Sequence, residues 1–301
     1  WSRYPLERIT PMTFKTIFAP LAFEETAKLV SETALLLAGA FKGYVMAQHV
    51  RPRFTGYPPM EFYPASASAT VMAMEGHDEA AGRYARALRA KFEDLCAASD
   101  AHVVPVPEAL KQNGVTASWT EEVGQFPLNY GLSARAADLV VMAKPDAKGV
   151  HSERELFEAV LMQSGAPVFL TPRSGLSAVP RRPLVAWDGS LQASRVVRAA
   201  LPLLLQSDET TLLTIGETDA ATPSLEQAKL WLERAGVLVT SRHVEWPERP
   251  IAERILNQCE ASNSDVVLMG GYSHSRLRES ILGGVTLHMI QHSDLPILMV
   301  H

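Results

Sequence analysis

The stretch DVVLMGGYSHSRLRESILGGVTLHMIQHSDLPILMVH, residues 265–301, decides the fold. It opens with an apolar run at 266–269 that reads as a strand, and it breaks at Gly270-Gly271. A second glycine pair, Gly283-Gly284, follows inside a helical pattern covering about 275–291, and a Pro-led apolar run at 296–300 closes the stretch. Glycines placed after a strand and before a helix let backbone N–H groups approach a phosphate. The same glycines also serve a chain that merely has to turn. Spacing alone leaves both readings open.

Working outward, the same unit occurs twice. ADLVVMA at 137–143 matches SDVVLMG at 264–270, an offset of 127, and SGAPVFLT at 164–171 matches SDLPILMV at 293–300, an offset of 129. KTIFAPL at 15–21 aligns with RPLVAWD at 182–188 at an offset of 167. The first half is therefore longer in its middle by about 40 residues. Part of the excess, RPRFTGYPPMEFYPASASA at 51–69, is rich in Pro, Ala and Ser and reads as a loop insertion over residues 51–76. The domains are expected at 12–173 and 181–301, joined by the linker RSGLSAVPRR at 173–182. In the second half, strands at 183–187, 210–215, 237–244, 265–270 and 296–300 alternate with helices at 191–205, 224–235, 251–261 and about 275–291. Ser224 sits at a capping position of the second helix, Gln227 completes a capping box, and Gly236 ends it. Pro202 lies inside the first helical pattern, which must kink there or end earlier. Apolar strands alternating with helices predict an α/β fold, two tandem five-stranded parallel-sheet sandwiches with both faces covered.

The 301 residues carry a net charge of −5, with 47% hydrophobic and 20% charged residues. That composition fits a globular protein and advertises neither nucleic acid nor an anionic membrane as a partner. No apolar run reaches the ~18 residues that a membrane span needs. WSRYPLERITP at 1–11 has no apolar core of a secretory signal and reads as an upstream extension before Met12. Two distant cysteines, Cys96 and Cys259, exclude a disulfide framework. The expectation is a cytoplasmic protein.

The loop residues carry a resemblance. Gly270, two residues, Ser273, nine residues, Gly283 and Gly284, then Val285 and Thr286, is similar to the nucleotide-binding loop of the universal stress protein family, which has an adenine nucleotide alpha hydrolase-like fold. The family pattern is Gly, two residues, Gly, nine residues, then Gly and Ser or Thr. The spacing matches, while Ser273 replaces the second Gly and Gly284 replaces the hydroxyl residue. The resemblance covers nearly the whole chain as two tandem copies. It implies an Asp at the end of the first strand near adenine or ribose, here Asp188, and a residue late in the second strand lining the adenine pocket, here Ile215. It implies ATP or a related adenine nucleotide as the ligand, held by Asp188, Ile215, Gly270, Ser273, Gly283, Gly284, Val285 and Thr286. Thr286 is the candidate to replace the hydroxyl lost at Gly284. It also implies that the strands at 167–171 and 296–300 meet within one chain as a pseudo-dimer, as single-domain members meet in a dimer; a homodimer of the whole chain stays open.

The first half departs from this pattern, with Leu21 aligned to Asp188 and Lys144-Pro145 where the glycines would stand. Arg276, Arg278 and His274 flank the second-half loop as anion ligands or as a solvated face. His288 and His292 share a helix face at metal-ligand spacing, but nothing around them completes a ligand set. Trp187 reads as core or as a base-stacking ring. Asp138 and Asp265 recur before the fourth strands of both halves and read as structural turn residues. No nucleophile elbow, Walker lysine or zinc-protease helix is present. The expected function is a stress-response protein that binds or senses a nucleotide in its second half and signals by contact, without catalysis. The alternatives are a ligand-free scaffold that holds a protein partner and a slow nucleotide hydrolase.

Overall fold

The computed structural model of the protein describes residues 13–52, 66–105, 114–146, 151–216, 221–245, 250–271 and 284–301. Ser273, His274, Arg276, Arg278 and Gly283 lie outside them, as do 1–12 and 53–65.

In the first half the chain forms β1 (Thr16–Pro20), α1 (Glu24–Phe41), β2 (Tyr44–Pro52), α2 (Ser66–Ala98), β3 (His102–Val103), β4 (Thr116–Gly124), α3 (Leu128–Ser133), β5 (Leu139–Ala143), α4 (His151–Gln163) and β6 (Val168–Thr171). The second half forms β7 (Pro183–Ala186), α5 (Leu191–Ala199), α6 (Leu201–Leu204), β8 (Thr210–Ile215), α7 (Ala221–Arg234), β9 (Val239–Val244), α8 (Ile251–Ala261), β10 (Val266–Gly270), α9 (Gly284–His292) and β11 (Ile297–Val300). The strands form one sheet in the order β3-β4-β2-β1-β5-β6-β11-β10-β7-β8-β9. Every pairing is parallel except that of β6 with β11, where Ile297 faces Leu170 and Met299 faces Val168. The halves therefore join through their last strands into a continuous sheet.

Both faces of the sheet are covered, as its apolar strands require. On one face α1, α2, α5, α6 and α7 bury residues such as Val30, Leu88, Val196, Leu203 and Leu232. On the other, α3, α4, α8 and α9 bury Tyr130, Phe157, Ile255, Met289 and Ile290. Each layer runs across both halves.

Three details differ from the reading of the sequence, and a fourth decides between the two alternatives left open at Pro202. The first half carries an additional two-residue edge strand, β3, paired with β4. Residues 66–76 of the presumed loop insertion belong to the 33-residue helix α2; their Ala-rich composition reads as a linker, but alanine is also the strongest helix former. Ser224 lies inside α7 and is not its cap, and its Oγ instead accepts the Trp187 indole N–H at 3.1 Å. The pattern at 191–205 splits into α5 and α6, with Pro202 in the first turn of α6, where a missing N–H costs nothing.

The fourth strands open alike in both halves. Asp138 Oδ2 accepts the N–H groups of Lys15 and Thr16 at 2.9 and 2.8 Å. The Asp265 carboxylate accepts those of Arg181 and Arg182 at 2.7 and 2.8 Å. Each carboxylate forks two N–H groups where the first strand begins, so both are structural. Asp138→Ala and Asp265→Ala are each expected to lower the unfolding free energy by about 1 kcal/mol, by analogy with a lost helix cap. Chemical denaturation reads the loss, and an unchanged midpoint would refute the role.

The same hydrogen bonds correct the internal alignment by one residue. Leu21 N–H donates to Gln48 O and Trp187 N–H to Leu213 O, so Trp187 stands where the first half has Leu21, an offset of 166. The first-half counterpart of Asp188 is thus Ala22. A one-residue slip exchanges the two faces of a strand, which makes the correction consequential. Lys144 N–H donates to Thr171 O as Gly271 N–H donates to Val300 O. The glycine pair is therefore replaced in the first half by Ala143-Lys144, as the offset of 127 implies, and not by Lys144-Pro145.

Candidate functional site

In the second half the chain leaves β7 for β8 on one side and returns to β10 on the other. Ligands of doubly wound sheets bind outside the carboxyl ends of the strands where the order reverses, here between β7 and β10. The carboxyl ends of β7, β10 and β8 lie side by side at this edge.

Asp188 lies two residues past β7 and is exposed. Its Oδ1 accepts the Ser190 N–H at 2.9 Å, while Ser190 Oγ accepts the Ala193 N–H at 3.1 Å and caps α5. Gly189, at φ 77°, makes the turn between them. The carboxylate is thus aimed by a helix cap. Ile215 ends β8, half-buried against the α8 and α9 layer. Beyond it the His243 ring meets Gly216 O at 3.1 Å.

Gly270 ends β10, with the first turn of α5 pressed on it. A Cβ placed there would lie 2.7 Å from Gln192 Cβ, 2.9 Å from the Gln192 carbonyl carbon and 3.0 Å from Ala193 N. At Gly271 a Cβ would come within 3.3 Å of the Leu161 side chain of the first half. Both glycines therefore have a packing reason to be small. At Gly284, the exposed first residue of α9, a Cβ would meet nothing within 4 Å among the described residues. Val285 is half-buried in the core layer, and Thr286 is 4% exposed. Asp188, Ile215 and Gly270 thus stand at the carboxyl ends of β7, β8 and β10, while Gly284, Val285 and Thr286 open α9, with the Thr286 side chain buried.

Other candidates resolve structurally. Trp187 packs against the α5 and α7 layer. The His288 and His292 rings stack at 4.1 Å, and His292 Nδ1 meets His288 O at 3.0 Å. Among the described residues no three metal-ligating side chains cluster. Cys96 and Cys259 are free and buried, and burial pushes both thiols up to about 12.

The first half fills the corresponding edge with its own side chains. Tyr84 of α2 accepts the Glu24 N–H at 2.7 Å and so covers the amino end of α1. The buried His49 ring meets Leu21 O through Nδ1 at 2.8 Å, lies 5.6 Å from the Tyr84 ring and stacks at 6.4 Å on Trp119. Burial holds this imidazole below its usual pKa, against the pull of the Leu21 carbonyl. Lys144, 4% exposed, directs its ammonium to Ser293 O and Leu295 O of the second half, each at 2.6 Å. Burial pushes this ammonium down to about 8, against Asp294 nearby. Sequence reasoning missed this role; the available signal was a lone lysine directly after a fully apolar strand.

Similarity to known proteins follows the same division. Residues 180–301 match the family described as the Universal stress protein family. A universal stress protein of Synechocystis sp. (strain ATCC 27184 / PCC 6803 / Kazusa) is 24% identical over 168 residues, 54% of this chain and 57% of that protein. The match thus spans a little over half of that relative's length. Among solved structures, a universal stress protein from Archaeoglobus fulgidus DSM 4304 superposes with a TM-score of 0.66 at 16% identity, covering 95% of this chain and 97% of that one. A putative universal stress protein from Pseudomonas aeruginosa UCBPP-PA14 gives 0.52 at 10% identity, covering 95% and 93%. The whole chain has the architecture of these α/β proteins. The family match falls on its second half, residues 180–301. Among the described residues no helix is long and apolar enough to cross a membrane.

Proposed function

We propose that the protein acts in a stress response by binding an adenine nucleotide in its second half and signalling the bound state by contact. The observation that carries this reading is the asymmetry of the two strand-end edges. In the second half an exposed carboxylate, Asp188, stands at the reversal of strand order, and α9 opens with the exposed Gly284. In the first half the same place holds Ala22, whose carbonyl accepts the Tyr84 hydroxyl at 3.4 Å, with the buried His49 on the neighbouring Leu21 carbonyl. A carboxylate suits ribose hydroxyls, and a helix amino end suits phosphate. The contacts named favour binding over a reaction. Ser273 and Gly283 complete the proposed loop from the sequence side.

Calorimetric titration of ATP with Mg²⁺ tests the reading. The expected dissociation constant is below about 100 μM, weakened about tenfold in Asp188→Ala through loss of one hydrogen bond. Gly284→Ser adds a hydroxyl where a Cβ meets no described residue within 4 Å. It is expected to tighten binding about tenfold through a charge-assisted hydrogen bond to phosphate. No heat with the wild type, together with no adenine nucleotide in an acid extract of the purified protein, would overturn the proposal.

A further inference from the structure

The two halves grip each other unequally. In the second half the residue after the fourth strand is Gly271, which has no side chain to reach across the junction and lies against Leu161. In the first half its counterpart is Lys144, which crosses the junction and donates to Ser293 O, directly after α9, and to Leu295 O in the turn before β11. A cation suits a helix carboxyl end, where backbone carbonyls lack intrahelical partners.

Both sides of this contact are tied down. On the first-half side, Lys144 N–H donates to Thr171 O at 3.3 Å. Arg173 Nη2 donates to Lys144 O at 3.5 Å and pairs with Asp146 and Glu153 at 3.5 and 3.7 Å. On the second-half side, Ser293 N–H donates to Met289 O at 3.1 Å and so closes the last turn. Leu295 N–H donates to Ser293 Oγ at 3.1 Å, and Val267 N–H donates to Pro296 O at 3.0 Å. The ammonium therefore joins two rigid frames, one from each half.

We propose that Lys144 is a positioning residue for the second-half site: its ammonium anchors the carboxyl end of α9 so that the amino end, Gly284 to Thr286, is held at the strand ends where a nucleotide phosphate would lie. This rests on the nucleotide-binding reading above. It gives the first half a task, which is to set the helix that its partner half uses. α9 is nine residues long, and its inner face rests on Thr286, Met289 and Ile290, with Val285 and Leu287 packed beside them. With so short a contact, an anchor at one end bears on the placement of the other.

The test compares wild type with Lys144→Met, which keeps the side-chain length and removes the donors. Hydrogen exchange at the amides of residues 288–293 is expected to speed up at least about tenfold, the loss of roughly one charge-assisted bond. Amides in β1, β2 and β8 keep their protection, and the dissociation constant for Mg²⁺–ATP rises about threefold or more. Unchanged exchange in α9 would overturn the proposal. So would protection lost evenly across both halves, which marks a merely structural lysine. If Lys144→Met does not fold, Lys144→Gln, which keeps neutral N–H donors, is read the same way and is expected to fall between the two. A wild type that binds no ATP sinks the nucleotide reading, while the exchange comparison still decides the anchor.

Discussion

Gly270→Ala is expected to lower the unfolding free energy by about 3 kcal/mol, the upper end of the usual cost of overpacking. The added methyl would meet the Gln192 Cβ at 2.7 Å and the backbone of Gln192 and Ala193 at 2.9 and 3.0 Å. A flexible side chain would swing away from such a contact. A helix backbone moves only as a unit, so α5 must shift and carry Val196 and Val197 out of the core. Denaturant unfolding measures the loss, and a change below about 0.5 kcal/mol would show that α5 yields without resistance. Gly284→Ala is the control. Its methyl meets no described residue within 4 Å at an exposed helical position, and it is expected to stabilise by about 0.5–1 kcal/mol through lower backbone entropy of the unfolded chain. The pair separates two meanings of glycine within one motif: at Gly270 the constraint is packing, whereas at Gly284 no described residue lies within 4 Å of an added Cβ.

The second large effect concerns pH. Lys144 has a folded pKa of about 8 against 10.5 for a free lysine, because burial disfavours its charged form. Between these values the unfolded chain holds a proton that the folded chain has released, so the contribution of Lys144 to stability rises with pH across the window. That contribution is lost as pH falls through about 8. The full span is roughly 3 kcal/mol, of which about 2 kcal/mol develops between pH 8 and 9.5. Cys96 and Cys259 act in the opposite sense: their thiols stay protonated in the folded chain up to about 12 but ionise from about 9 when unfolded, which erodes stability above that pH. The measurement is therefore the difference between wild type and Lys144→Met, in which the cysteine contributions cancel. Wild type is expected to gain about 2 kcal/mol on the variant from pH 8 to 9.5. A flat difference would mean that the two carbonyls at 2.6 Å and Asp294 hold the ammonium charged despite its burial. At neutral pH the variant is expected within about 2 kcal/mol of wild type, because relief of the buried charge offsets the two lost hydrogen bonds.

The sequence by itself determined the architecture. Apolar strands such as Val266 to Met269 and Ile297 to Val300 have only one environment that suits them, a sheet covered on both faces, and the repeated Asp138 and Asp265 segments announced two copies of it. It also determined which half differs, since Asp188 and the glycine pairs occur once. Only the tertiary structure decided the register between the copies. Offsets in a string tolerate a slip of one residue, whereas the hydrogen bonds Leu21 to Gln48 and Trp187 to Leu213 do not, and they put Ala22 rather than Leu21 opposite Asp188. The structure alone also gave Gly270 its packing partner and Lys144 its carbonyls. Both contacts join residues far apart in the chain, Gly270 with Gln192 and Lys144 with Ser293, and no local spacing encodes a distance of that kind.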